Sequence, residues 1–251
     1  MHRLYCPSQN ISDNKIIIDN KDQVHHAKNV LRLKLNEEVV IFDDEGNEYR
    51  SILDKLLPKS MIFQVKGKEK FIPNPSKIKI TVACAIPKDS RMDEIIDKLT
   101  QLGAQRIIPL ETERVIVKLN KHKRILRQER WKKIALNASL QSQRNTLPVV
   151  EPIKNIKEVL SESSDYDLKL IPTLAGEREN LKDILAINKA KNILIIIGPE
   201  GDFTSEEINL AKKAGFIPVS LGDLVLRVET AAIAVTSFIG LYLDCTPQDP
   251  I

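Results

Sequence analysis

The stretch that most constrains this chain runs from Ile193 to Thr230, ILIIIGPEGDFTSEEINLAKKAGFIPVSLGDLVLRVET. It opens with a continuous apolar run rich in β-branched residues, Ile193 to Ile197, the pattern of a strand covered by helices on both faces. The run stops at Gly198-Pro199-Glu200-Gly201, a tight loop. Thr204 then stands at an N-cap position with Glu207 as its capping-box partner, and Ile208, Leu210 and Ala211 give the apolar face of a helix ending at Gly215. A second short strand, Ile217 to Leu221, feeds another glycine loop, Gly222 to Arg227, and Glu229-Thr230 leads into a long apolar helix. Two strands thus deliver two backbone-rich loops, expected at one edge of a parallel sheet, where open α/β folds bind ligands.

With 251 residues the chain can bury a substantial core in one or two domains. Its 38 Lys plus Arg against 34 Asp plus Glu leave a formal charge of +4, which suits a polyanion only where it is clustered. Cys6, Cys84 and Cys245 lie far apart with no CxxC or Cys/His spacing, so neither a zinc site nor a disulfide framework is expected and a reducing cytosol is the expected compartment. The N-terminus MHRLYCPSQN lacks the form of a signal peptide, and the apolar helix Ala231 to Leu243 is too short to span a bilayer. No membrane role is expected, and that helix reads as a core or subunit-contact element.

From Met1 to about Phe71 the chain has the character of a small β-rich domain. Ile16 to Ile18, Glu38 to Phe42, Tyr49 to Leu53 and Met61 to Val65 are β-prone runs separated by turn signals such as Asp43-Asp44-Glu45-Gly46-Asn47. One helix is expected between Asp22 and Leu33, with Val24, Ala27, Val30 and Leu31 on its apolar side and His25, His26, Lys28, Arg32 and Lys34 around its polar side and exit. Two adjacent histidines are more often solvated than chemical, but a basic face on a small barrel suits a phosphate backbone. The two prolines of Phe71 to Ser76 mark a linker. After it, strand Ile78 to Ala85, a helix from Asp89 through Met92, Ile95, Ile96 and Leu99 to Gly103, and strand Arg106 to Leu110 form a β-α-β unit, which requires a parallel sheet. Later strands are expected at Leu168 to Ile171, Ile193 to Ile197 and Ile217 to Leu221. The expected division is 1–72 and 73–251.

Asn120 to Arg144 carries Lys121, Lys123, Arg124, Arg127, Arg130, Lys132, Lys133 and Arg144, with only Glu129 opposing them between Lys121 and Lys133. Trp131, Ile134 and Ala138 recur at helical spacing, giving an amphipathic helix with a core stripe and a cationic face. Such a run is most often a solvated face; the excess of one sign and the arginines point to nucleic acid.

Neither a dinucleotide G-x-G-x-x-G nor a P-loop occurs, and Glu200 stands where a phosphate would approach, so the loops are not a phosphate cradle. They suit a ligand recognised by backbone groups and carrying positive charge; S-adenosylmethionine is one such ligand among several.

Gly198-Pro199-Glu200-Gly201, the capped helix, and Leu221 to Ala231 together resemble the paired C-terminal signature of the RsmE-type methyltransferases of small-subunit ribosomal RNA. Pro87 to Met92, Lys98 to Ala104, Pro109 to Arg114, Glu129-Arg130-Trp131 and Gln141 to Arg144 follow the same family's order, and His25-His26 with Val30 to Leu33 match its N-terminal signature. The resemblance covers nearly the whole chain. It implies an α/β protein with an N-terminal PUA-like β-barrel for RNA binding and a C-terminal SPOUT-type methyltransferase domain, its parallel sheet closed by a C-terminal trefoil knot. It also implies a cytoplasmic homodimer, S-adenosyl-L-methionine as cofactor, no metal, and methylation of N3 of one uridine in 16S-type ribosomal RNA, in the assembled or assembling 30S subunit.

Carried over by position, the cofactor pocket comprises Leu170, Pro172 and Ala175 from a first loop, Gly198, Pro199, Glu200 and Gly201 from a second, and Leu221, Gly222, Leu224, Val225 and Leu226 from a third. Arg227 is expected to stabilise a developing uridine anion, with Glu229 orienting Arg227 or capping the last helix and Arg114 contacting substrate from the partner subunit. His25, Arg32, Lys88, Arg91, Arg124, Arg127 and Arg144 are the expected RNA contacts. The chain departs from the family pattern at Asp202, where a second glycine is usual, at Gln101, where glutamate is usual, and at Val115, where a small polar residue is usual. A non-catalytic RNA-binding adaptor would leave the glycine loops unused, a small-molecule enzyme would leave the barrel and basic helix idle, and a related methyltransferase could take another RNA target.

Overall fold

The computed structural model describes residues 1–72, 78–88, 91–115 and 119–245. The chain divides into two compact units, Met1–Pro73 with Ser139–Leu147, and Asn74–Ala138 with Pro148–Ile251. Residues 139–147 thus belong to the first unit, although linear patterning groups them with the second. The expected linker prolines and the expected helix start at Asp89 lie outside the described residues.

In the first unit, strands β1 (His2–Tyr5), β2 (Ile11–Ser12) and β3 (Lys15–Ile18) precede helix α1 (Lys21–Asn29), and β4 (Glu38–Phe42), β5 (Glu48–Leu56) and β6 (Met61–Glu69) follow it. They form one curled sheet in the order β1-β4-β5-β6-β3-β2, antiparallel except for β1 beside β4. Register shifts between Arg50 and Ser51 and between Leu53 and Lys55 let the long β5–β6 ribbon curl. The core beneath it contains Leu4, Ile16, Ile41, Leu53, Met61 and Phe63 with Val24 and Ala27 of α1. The Asp43 to Asn47 turn closes around a buried carboxylate, since Asp43 accepts from the Glu45 and Asn47 amides at 3.0 and 2.8 Å and from the Tyr49 hydroxyl at 3.0 Å. Helix α1 stops four residues before the expected Leu33. Leu33 N bonds back to the Ala27 carbonyl, and Arg32 takes a left-handed φ of 53°. Val30 is consequently 62% exposed rather than on the core side.

In the second unit every strand pairing is parallel. Its elements are β7 (Lys79–Ala85), α2 (Arg91–Gln101), β8 (Arg106–Glu111), α3 (Lys121–Gln141), β9 (Val149–Val150), β10 (Lys154–Asn155), α4 (Ile156–Ser161), β11 (Leu168–Pro172), β12 (Glu179–Asn180), α5 (Leu181–Ile187), β13 (Asn192–Ile197), α6 (Ser205–Lys213), β14 (Ile217–Ser220) and α7 (Val228–Cys245). The sheet runs β10-β8-β7-β13-β11-β14-β12, with β9 also on β8. The central strand β13 is apolar from Ile193 to Ile197 because both of its faces are covered. Ile193, Ile195 and Ile197 pack with α2, α5 and α7, while Leu194 and Ile196 pack with α4 and α6. Trp131 of α3 is 1% exposed in the first of these cores and donates its indole N–H to Asp93 at 3.1 Å. Short edge elements β9, β10 and β12 and helices α4 and α5 were not among the sequence expectations; their runs of two to seven residues are too short for a periodic signal.

Candidate cofactor crevice

Strand β11 lies between β13 and β14. The two glycine loops singled out in the sequence therefore flank a third, and three carboxyl-end loops bound one open crevice in the second unit. Pro172, Thr173, Leu174 and Arg178 line it from the loop after β11; Gly198, Pro199, Glu200 and Asp202 from the loop after β13; and Leu221, Gly222, Leu224, Val225 and Leu226 from the loop after β14. Ile197, Val228 and Ala231 complete its wall. Leu224 and Val225 are 79% and 73% exposed, so apolar side chains stand uncovered at its rim.

The loops are fixed by local chemistry. The expected capping box of α6 is present: Thr204 Oγ1 accepts from Glu207 N at 3.2 Å and Glu207 Oε2 accepts from Thr204 N at 2.9 Å. Glu207 Oε1 also accepts from the Glu113 amide at 2.9 Å, and Arg114 donates to the Gly201 carbonyl at 2.5 Å. The segment after β8 is thereby tied to the loop after β13. Glu207→Ala removes the carboxylate's bonds to the Thr204 and Glu113 amides and is expected to cost about 2 kcal/mol of unfolding free energy, read as a lower urea midpoint at unchanged m. A loss under about 0.5 kcal/mol would show that water replaces both bonds.

Asp202 adopts the left-handed conformation at φ 59°, as the glycine usual in the family pattern does without a side-chain penalty. Its Oδ2 accepts from Thr173 Oγ1 at 2.9 Å and from Leu174 N at 2.8 Å, while Phe203 N donates to Oδ1 at 2.8 Å. The other two departures sit elsewhere: Val115 is buried, and Gln101 is exposed on α2, bonded to Asp97 at 2.8 Å.

Of the twelve residues expected around a cofactor, nine line the crevice. Leu170 is fully buried in the core, Gly201 is exposed with its carbonyl bonded to Arg114, and Ala175 follows Thr173, to whose hydroxyl its amide donates at 3.2 Å. Thr173, Leu174 and Arg178 are lining residues that sequence reasoning did not single out, while Asp202, noted there only as a departure from glycine, lines the crevice as well. Only the adjacency of β11 to both glycine-loop strands identifies them.

Arg227 is exposed at the entrance to α7 and forms no ion pair among the described residues. Glu229 faces Arg91, at 3.9 Å, not Arg227, and Arg91 lies 4.0 Å from Glu200 as well. The second Glu229 oxygen is buried without a hydrogen-bond partner, an arrangement that favours a donor or a cation nearby. Burial, followed by the charges of Glu229 and Glu200, pushes the Cys84 thiol up, so it remains an unreactive thiol at the end of β7.

The expected RNA contacts fall into two groups. His25 and Arg32 are exposed at α1 and its exit, Lys88 is exposed in the loop after β7, and Arg127 is partly exposed on α3. Arg124 and Arg91 are engaged within the second unit. Arg124 pairs with Glu111, and Arg91 faces the two glutamates. Arg144 is half-buried, which lowers its guanidinium to about 10 and still leaves it charged at neutral pH. Arg130 pairs with Asp93, and Lys132 with Glu129. The cationic face of α3 is thus smaller than its sequence suggests, because acids from β8 and α2 neutralise part of it. Among the described residues no group of His, Cys, Asp and Glu has the arrangement of a metal site, and no helix is long and apolar enough to cross a membrane.

Family models place this architecture. The RNA methyltransferase domain model matches residues 74–240, and the RNA methyltransferase PUA domain model matches 18–66. The class they define is an RNA methyltransferase domain joined to a PUA domain. Curated relatives narrow it. Ribosomal RNA small subunit methyltransferase E of Synechocystis sp. is 34% identical over 228 residues, covering 88% of this chain and 72% of its own. The protein of the same name in Rickettsia conorii is 32% identical, covering 96% and 95%. The crystal structure of ribosomal RNA small subunit methyltransferase E from Neisseria gonorrhoeae bound to S-adenosyl methionine superposes with a TM-score of 0.86 at 32% identity, over 98% of this chain and all of that one, at 100%. The chain belongs to the ribosomal RNA small subunit methyltransferase E family.

Proposed function

We propose that this protein transfers the methyl group of S-adenosylmethionine to N3 of one uridine in 16S-type ribosomal RNA, within the assembled or assembling small subunit, and does so in the cytoplasm. The observation that carries the reading is the three-loop crevice, bounded by backbone and apolar side chains, in a chain whose relatives are named for small-subunit ribosomal RNA methylation. Leu224, Val225 and Leu226 offer an apolar face for a base. Glu200 and the orphaned Glu229 oxygen suit positive charge.

When bound, the cofactor supplies a methyl group already activated by its sulfonium. The protein's work is positioning and charge stabilisation. Uridine N3 carries a proton at neutral pH and becomes a good nucleophile only as that proton passes to solvent. Arg227, free of ion pairs among the described residues, stabilises the resulting anion at O2 or O4. Glu229 is a positioning residue, acting on the start of α7 through Arg91. Arg114 acts within its own chain by holding the loop after β13, as its bond to Gly201 supports.

The curled first unit serves as the RNA-binding module, with His25 and Arg32 toward the backbone. A homodimer is supported by the outer face of α7, where Phe238 and Leu241 are exposed and the Phe238 and Tyr242 rings stack at 5.6 Å. The strand order β7-β13-β11-β14, with α7 returning over β7, suits the SPOUT class and its knotted C-terminal segment.

The test is methyl transfer from labelled S-adenosylmethionine to small subunits purified from cells lacking this protein, with the nucleoside identified by mass spectrometry. N3-methyluridine at a single site is expected. Tight cofactor binding without transfer to subunits or naked ribosomal RNA would overturn the proposed target.

A further inference from the structure

We infer that Arg178 recognises the carboxylate at the amino-acid end of the cofactor, and that Asp202 builds the wall that holds Arg178 in place. The inference rests on the cofactor reading above and adds an anion-recognising group to loops that otherwise favour positive charge.

Arg178 lines the crevice and donates one hydrogen bond, to the Thr173 carbonyl at 3.3 Å. A guanidinium has five N–H groups in a planar fork that matches a carboxylate two bonds at a time. Among the described residues Arg178 forms no ion pair, although Glu177 and Glu179 flank it in sequence. The nearby cations are engaged, Arg91 with Glu200 and Glu229 and Arg114 with the Gly201 carbonyl. Arg178 is therefore the cation that the crevice wall leaves for a ligand.

The anchor of Arg178 is itself anchored. Thr173 donates its hydroxyl to Asp202, and the next amide, Leu174 N, donates to the same oxygen. With the Phe203 amide on its other oxygen, the Asp202 carboxylate accepts three hydrogen bonds, which compensate much of its charge before any ligand arrives. It also holds a left-handed backbone, a conformation that glycine adopts without side-chain strain. A glycine at this position would avoid the strain and lose the clamp. The departure from the family pattern at 202 is thus coupled to Arg178: one joins the loops, and the other stands on the joined loop facing the crevice. A zwitterionic tail meets Arg178 at its carboxylate and the acids of the opposite loop at its ammonium.

Calorimetric titration of the full chain tests this with two probes, S-adenosylmethionine and its decarboxylated analogue, which keeps the sulfonium and lacks the carboxylate. The wild type is expected to bind the first about 10- to 100-fold more tightly. Arg178→Ala is expected to bind both equally, through loss of affinity for S-adenosylmethionine alone. Arg178→Lys, with the charge but not the fork, should fall between. Asp202→Gly should weaken S-adenosylmethionine binding by a smaller factor and leave the analogue unchanged. Unaltered S-adenosylmethionine affinity in Arg178→Ala, or an equal loss for both probes, overturns the inference while the cofactor reading stands. Binding of neither probe by the wild type overturns both.

Discussion

Arg227→Ala is expected to lower the rate of methyl transfer by about 10²- to 10³-fold, the usual effect of removing one donor aimed at a developing negative charge. Affinity for S-adenosylmethionine should be unchanged, because Arg227 is not among the side chains lining the crevice. Folding should be intact as well. The residue is exposed, its side chain holds no described partner, and its backbone carbonyl, which accepts from Ala231 N at 2.8 Å at the start of α7, is retained in alanine. Single-turnover transfer measured beside calorimetric binding separates the two effects. Arg227→Lys should recover only part of the rate, since an ammonium lacks the planar fork that addresses a uridine oxygen. Full turnover in Arg227→Ala would remove Arg227 from the mechanism.

Gly198→Ala is expected to damage both stability and the crevice. A Cβ at this position would stand 2.9 Å from Phe203 Cε2 and 3.0 Å from Cδ2. Phe203 is 3% exposed and packed with Leu194, Ile196, Ile208 and Ala211, so its ring cannot swing aside without opening a void. Overpacking of this kind costs about 1–3 kcal/mol, and any relief by backbone movement shifts the wall formed by Gly198 to Glu200. A lowered melting temperature and at least about a tenfold weaker S-adenosylmethionine affinity should appear together, tenfold being about 1.4 kcal/mol. Phe203→Leu should restore part of both losses, as expected for residues in direct contact. Gly222→Ala is the control. Nothing lies within 4 Å of its Cβ position, and its strain comes from a φ of +113°. Phe203→Leu should therefore not rescue it. If Phe203→Leu fails to rescue Gly198→Ala, the clash is not the cause.

Much of this was legible in the chain itself. Ile193 to Ile197 reads as a doubly covered strand because every residue is apolar, and its alternate side chains do pack into two different cores. Thr204 and Glu207 announce a capping box through residue type and spacing alone, and both bonds are present. The glycine loops mark where the backbone must be free to turn, and nine of the twelve expected residues meet at one crevice. In such cases the relevant partner is within a few residues, or the requirement is one of pattern.

What the sequence could not supply was long-range pairing. Arg124 and Arg130 read as parts of a cationic face, yet Glu111 and Asp93, from other elements, neutralise them. Glu229, expected from the sequence to orient Arg227 or to cap the last helix, faces Arg91 on α2. Asp202 looked only like a departure from glycine, until the placement of β11 between β13 and β14 brought Thr173 and Leu174 to its carboxylate.

By itself the sequence determined the longer strands, the capped helix, the glycine turns and the family signature, because periodicity, capping and backbone freedom act over one or two turns of chain. The tertiary structure decided which loops share a wall, which charges remain available, and where Arg178 stands. Hydrogen bonds and ion pairs form between groups a few ångströms apart, and strand order alone brings residues 29 positions apart, Thr173 and Asp202, to 2.9 Å.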